Sequence, residues 1–196
     1  MHPYATDSSE RKNVVFGLAI LSVAVSYGLH LVLGKLNFRW PWWMETPSFI
    51  GIFGLFYEIF NSSLWRVKLL RKLGIVRIPD LSGKWKVEGY SAKRKENFNA
   101  EIEIKQTWTK ISIVMESKFS KSHSITASIL THQPGGYMIS YEYVNEPRAN
   151  ALPTMHSHRG TAILYLKNEN LIEGEYYSGR DRENYGTLIL KRGKRW

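Results

Sequence analysis

The chain has 196 residues, enough for one modest globular domain with additions and too few for two full domains. It contains no cysteine, which excludes a disulfide framework, a thiolate zinc site and a cysteine nucleophile. Its formal net charge of +10 is evenly divided, with nine basic and four acidic residues before position 78 and eighteen and thirteen after it. Both parts therefore suit anionic surroundings such as lipid headgroups or phosphates.

Residues 1–12 read as a polar N-terminal tail. Residues 14–33 hold no Asp, Glu, Lys or Arg. At about 1.5 Å per residue that run spans roughly 30 Å, the thickness of a hydrocarbon core. A cleaved signal peptide would have a shorter apolar run followed by a small-x-small cleavage pattern. A second apolar run, 49–65, is shorter and carries Glu58 and Asn61. It follows Pro47-Ser48, a reasonable helix start. Between the runs lie Trp40, Trp42 and Trp43, residues at home at a membrane–water interface. Residues 13–77 are thus expected to form a two-helix transmembrane hairpin with a basic linker.

The loop between the runs carries Lys35 and Arg39, whereas Arg11, Lys12, Arg66, Lys68, Arg71, Lys72 and Arg77 flank the far ends. The positive-inside rule places both termini in the cytoplasm. Glu58 has two readings. A carboxylate within a span calls for a partner, in another helix or another copy of the chain. One near the cytoplasmic end reaches headgroups or a basic neighbour.

From position 78 onward the pattern is strand after strand, expected at 84–90, 100–108, 110–116, 123–130, 137–144, 158–167, 171–177 and 185–191. Eight short strands with mostly short connections predict a small up-and-down β-barrel over 78–196. Alternation puts Trp85, Ile102, Ile104, Ile139, Tyr141 and Tyr143 inside. Three phenols among the four inner positions of the fifth strand predict a partly polar interior. The last strand, apolar on both sides, leaves its facing open.

In such a barrel alternate loops share an end. The loops at 91–99, 117–122, 145–157 and 178–184 form one mouth with eight basic residues to four acidic. The tail from Lys191 to Trp196 leaves from the other end and is expected to return to anionic headgroups. A basic mouth on an aromatic-walled barrel suits a small phosphorylated ligand that carries bases, since Arg forks onto phosphate and aromatic faces stack bases. Catalysis is not expected. His156 and His158 are two apart but lack a third metal ligand, and neither a glycine-rich phosphate loop nor a nucleophile elbow occurs.

Two N-terminal spans, a short basic linker and a barrel opening Leu81-Ser82-Gly83-Lys84-Trp85 make an unusual combination. With the segments Gly174-Glu175-Tyr176-Tyr177-Ser178-Gly179-Arg180 and Tyr185-Gly186-Thr187-Leu188-Ile189-Leu190-Lys191-Arg192, it resembles the two-transmembrane, β-strand-rich effectors of bacterial CBASS anti-phage systems (SMODS-associating effectors). The resemblance covers nearly the whole chain, although the Gly-x-Trp opening also occurs in lipocalin-like barrels.

The resemblance implies a multi-pass protein of the bacterial inner membrane. A cGAS-like nucleotidyltransferase makes a cyclic dinucleotide, the barrel binds it, and the chains associate. The helices then disrupt the membrane in abortive infection. It implies no enzyme activity, metal, cofactor, DNA or RNA. The expected ligand contacts are Arg180 and Arg182 for phosphate, Trp85, Tyr141 and Tyr176 for base or ribose, and Arg159 and Thr187 as further donors. Glu58 is the expected association residue in the membrane. The competing readings are a membrane-tethered lipid- or fatty-acid-binding barrel and a scaffold that binds another protein.

Overall fold

The computed structural model describes residues 1–36, 42–151, 156–179 and 183–193, with the helical backbone alone for 42–48. The chain forms two compact units, Ser9–Arg77 and a barrel that unites Ile78–Trp196 with Met1–Ser8.

In the first unit, helix α1 spans Glu10–Lys35 and helix α2 spans Trp42–Ser62. Helix α1 is long and apolar enough to cross a membrane. Many of its large side chains, among them Phe16, Ile20, Val23, Tyr27 and Leu31, are exposed, which suits lipid rather than water. Glu10 in the first turn and Lys35 in the last complement the helix dipole. Ser22 satisfies its hydroxyl by donating to Leu18 O one turn back. The apolar stretch of α2, Phe49–Ser62, is shorter than a full span. Arg66 Nη1 donates to Ser62 O at 2.7 Å and caps the end of α2. Glu58 is exposed on α2, one turn before that end. The basic linker is partly helical: a short helix α3, Lys68–Lys72, closes at Gly74, whose φ of +70° supplies the left-handed cap.

The barrel consists of β3 (Gly83–Ser91), β4 (Glu96–Gln106), β5 (Lys110–Ser117), β6 (Ser120–Gln133), β7 (Gly136–Pro147), β8 (His158–Asn168), β9 (Leu171–Ser178) and β10 (Tyr185–Arg192). Each of these pairs antiparallel with its sequence neighbour, β10 pairs with β3, and a β5–β6 contact completes the closed ring. All eight expected strands are present. Several run further toward the mouth than alternation indicated, so the connections at 92–95 and 118–119 are tight. In β10, Gly186, Leu188 and Leu190 face inward, and Thr187 and Ile189 outward.

The N-terminal tail is part of the barrel. Strand β1 (His2–Pro3) pairs antiparallel with β5, and β2 (Ala5–Thr6) pairs parallel with β6. The end of the barrel away from the mouth is sealed by Leu81, Trp85 and Trp108, all fully buried. Trp85 Nε1 donates to Leu81 O at 2.9 Å. Gln106 takes the Leu81 amide on Oε1 and donates to Pro79 O. Arg192 stacks 4.4 Å from the Trp85 ring and donates to Ser82 O and Asp80 O. Arg192, expected on lipid headgroups with the tail, therefore belongs to this floor. Positions 194–196 lie outside the described residues.

Candidate functional site

A cavity of about 440 Å³ opens at the mouth, within the range of roughly 300–1,000 Å³ usual for small-molecule sites. Its wall has three kinds of surface. Aromatic faces come from Phe98, Phe119, Tyr141, Tyr143 and Tyr176. Neutral hydrogen-bonding side chains come from Asn145 and Asn184 and from a run of serines, while Asn97 and Asn99 border the cavity from exposed positions of β4. Arg94 and Lys118 supply positive charge, and Glu96 a carboxylate that pairs with Arg94.

The aromatic rings fit because small residues lie opposite them. Phe98 is the cross-strand partner of Gly89, Tyr143 of Gly160 and Tyr176 of Gly186. A Cβ at Gly89 would come within 2.3 Å of the Phe98 ring, and one at Gly160 within 2.3 Å of the Tyr143 hydroxyl. Each ring thus lies across a neighbouring strand instead of standing up into the lumen, which keeps the cavity open. Phe98 and Tyr176 meet edge to face at 6.2 Å.

The polar groups are held in place by one another. Asn184 Nδ2 donates to the Tyr176 hydroxyl at 3.2 Å, and Asn184 Oδ1 accepts from Ser91 Oγ and the Lys93 amide, both at 3.1 Å. Ser117 and Ser120 bond through their hydroxyls at 3.0 Å. Burial, reinforced by the neighbouring Tyr143, pushes the Tyr141 phenol well above its ordinary pKa, so Tyr141 is a neutral hydrogen-bonding group. Several rim cations are engaged in surface ion pairs. Arg94 bonds Glu96 at 3.1 Å, and Lys121 and Arg148 both bond Glu116. Lys118 stands 5.1 Å from the Phe119 ring at the cavity edge.

Of the residues expected from sequence, Tyr141 and Tyr176 are brought together on the wall. Trp85 is not on it, being sealed in the floor with its indole N–H already used. Arg159 is on the outer surface, 72% exposed and 3.7 Å from Glu142. Thr187 also faces outward, because β10 turns its odd positions to solvent. Arg180 and Arg182 lie outside the described residues. The asparagines, Phe98 and the serines were missed. One signal was available: Ser120, Ser122 and Ser124 recur at every second position and are all buried, the mark of a polar inward face. No group of three metal-ligating side chains occurs among the described residues.

Residues 76–192 match the family model described as the Cap15 cyclic dinucleotide receptor domain, and residues 12–66 match that of the Cap15 TM helices. CD-NTase-associated protein 15 of Yersinia aleksiciae is 34% identical over 144 residues, covering 72% of this chain and 68% of that protein. The protein of the same name from Staphylococcus schleiferi is 30% identical over 158 residues, covering 78% and 81%. A de novo designed fluorescence-activating β-barrel covers 58% of this chain and 94% of its own at 14% identity, with a TM-score of 0.39. A cavity walled by stacking faces and hydrogen-bonding groups, in a barrel that follows an apolar helix, meets the two matched domains in their order along the sequence, and the chain belongs to the Cap15 family of CBASS-associated proteins, with a cyclic dinucleotide receptor domain after its TM helices.

Proposed function

We propose that this chain is a CBASS effector that captures a cyclic dinucleotide in the mouth cavity, associates with further copies of itself, and disrupts the bacterial inner membrane to abort infection. The observation that carries the reading is the lining of the cavity, where aromatic faces, Asn145 and buried serines stand inside and cations stand at the edge. A cyclic dinucleotide presents two bases and two phosphates. Tyr141, Tyr176 and Phe98 offer faces for stacking. The Asn145 amide, buried at the mouth, both donates and accepts, as a base edge requires. Arg94 and Lys118 suit the phosphates. Arg180 and Arg182 stay in the reading on sequence grounds, as basic residues of the β9–β10 connection.

On this reading α1 and α2 form a hairpin with both termini cytoplasmic, and Glu58 makes polar contacts between assembled copies. The chain is a receptor and not an enzyme, and a cGAS-like nucleotidyltransferase supplies the ligand. A lipid or fatty-acid carrier would instead need an apolar lining with one anchoring cation.

The test is calorimetry on the full chain in detergent with cyclic di-AMP, cyclic di-GMP, cyclic di-UMP and their mixed counterparts. The full chain is needed because residues 1–8 belong to the barrel. One of these ligands should give saturable heat, and Lys118→Ala should weaken it by about tenfold, the loss of one charge-assisted contact. Flat titrations with all of them would overturn the reading. Saturable binding of a fluorescent fatty acid in their place would favour the carrier.

A further inference from the structure

The barrel wall has one weak seam. Strands β6 and β7 pair along nearly their whole length, whereas β5 and β6 pair at only three positions, Val114 with His123, Met115 with Ser122 and Glu116 with Lys121. All three are at the mouth end. Below them the ladder stops, and Ser124 Oγ takes the Ile113 amide at 3.0 Å in place of a backbone partner. A bulge at Ser124/Thr126 turns β6 away.

Residues 1–8 fill that gap. His2 and Pro3 pair with Ile111 and Lys110 on one side, and Ala5 and Thr6 pair with Ser128 and Ile129 on the other. His2 Nε2 shares a hydrogen bond with Ser124 Oγ at 2.7 Å. Tyr4, 3% exposed, donates its hydroxyl proton to Trp108 O. Asp7 Oδ1 accepts from the Thr131 amide at 2.7 Å and from its hydroxyl, and Oδ2 accepts from the His132 amide. The arm therefore supplies the backbone partners that two strand edges lack. It lies outside both family matches, which begin at residues 12 and 76.

The seam is also a wall of the cavity. Met115 and Ser122 line it, and Ser124, the next inward residue on β6, holds His2. On its other side the arm runs into α1 with little slack. Only Asp7, Ser8 and Ser9 separate β2 from Glu10, at most about 10 Å of chain, and Asp7 is itself pinned. The other connection, from α2 to the barrel, covers residues 63–77, and its Arg77 amide donates to Glu10 in the first turn of α1.

We propose that residues 1–8 are a strand built to occupy the β5–β6 seam and tie the cavity wall to the first membrane helix, so that a change in the seam is passed directly to α1. The ligand-driven part of this proposal rests on the cyclic dinucleotide reading, while the mechanical part does not.

Hydrogen exchange on the full chain in nanodiscs, without ligand, tests the mechanical part. Asp7→Ala should raise exchange by about tenfold both at the seam amides of Ile111 and Ile113 and at the Asn13 amide, which donates to Ser9 O at the start of α1. A Gly/Ser insert of about eight residues between Ser8 and Ser9 should leave the seam protected and free only the start of α1. If Asn13 is as protected in both variants as in the parent, the proposal is overturned.

Dye release from phosphatidylethanolamine–phosphatidylglycerol vesicles tests the rest, with whichever cyclic dinucleotide the parent binds. The insert should leave affinity unchanged and reduce release by about tenfold or more. Equal release would overturn the coupling and leave the receptor reading standing. A parent that binds no cyclic dinucleotide would overturn the receptor reading, with exchange still deciding the mechanical part.

Discussion

At the floor of the barrel Trp85, Trp108 and Leu81 are wholly buried, and Gln106 and Arg192 bond the backbone of residues 79–82 around them. At the mouth, side chains of similar size line open volume, because Phe98, Tyr143 and Tyr176 each lie over a glycine on a neighbouring strand. Both ends are aromatic-rich, but they differ in what the rings meet. Rings that meet other side chains and a guanidinium close the barrel. Rings that meet glycine backbone leave a cavity with polar edges. One eight-stranded wall is thus packed shut at one end and open at the other.

Substitutions at the floor should be costly to fold and indirect in their effect on binding. Trp85→Ala removes one of the two indoles of the plug and the platform for Arg192, and should destabilise the barrel by about 3–5 kcal/mol. Thermal unfolding of the full chain in detergent would measure it. A loss of ligand affinity without a loss of stability would show that the two ends are not divided in this way. Gln106→Ala should cost less, about 1–3 kcal/mol, by leaving the Leu81 amide and Pro79 carbonyl without their partner. The same unfolding experiment would resolve it.

At the mouth the order should reverse. Gly89→Ala sets a methyl where the Phe98 ring now lies, so the ring must swing into the cavity. Affinity for the cyclic dinucleotide should drop by about tenfold, worth roughly 1.4 kcal/mol, while the unfolding midpoint moves only slightly. Calorimetry beside thermal unfolding separates the two effects.

Most of the fold was legible because its signals are local. Twenty uncharged residues announce α1, and period-two alternation gives eight strands and their faces. The site was only partly legible because it depends on cross-strand neighbours. Nothing near Gly89 in sequence says that Phe98 will cover it; the pairing register does. Trp85 illustrates the opposite case. An inward-facing indole reads equally well as core or as a stacking platform, and only its height along the barrel decides. Thr187 faces outward, which alternation could not show because β10 is apolar on both faces. The arm was hidden for another reason. Two-residue strands leave no periodicity, and their partners are more than a hundred residues away.

The arm belongs to the seam, and its acid end gives a pH test. Burial works against the Asp7 charge, but the amides of Thr131 and His132, the Thr131 hydroxyl and the nearby His132 hold its pKa at about 2, below the ordinary 3.8. A carboxylate with a depressed folded-state pKa adds stability that is fully present above the unfolded value and is lost as pH falls through the folded one. Docking of the arm should therefore be constant from neutral pH to about 4 and weaken toward 2. Exchange at Ile111 would follow it, and Asp7→Asn should abolish that dependence.

The smallest effect expected is at Arg159, and it is informative because sequence placed that residue in the site. Its guanidinium is 72% exposed on the outer wall, 3.7 Å from Glu142. An exposed ion pair of that kind contributes about 0–1 kcal/mol. Arg159→Ala should accordingly leave ligand affinity within about twofold of the parent and shift unfolding little. Tyr141→Phe keeps the ring on the cavity wall but removes the hydroxyl, and should weaken binding several-fold, about 0.5–1.5 kcal/mol, if that hydroxyl bonds the ligand. Measured side by side in one calorimetric series, the pair distinguishes inner wall from outer. A larger loss for Arg159→Ala than for Tyr141→Phe would mean that the ligand is held outside the barrel, and the contrast between its two ends would then concern stability alone.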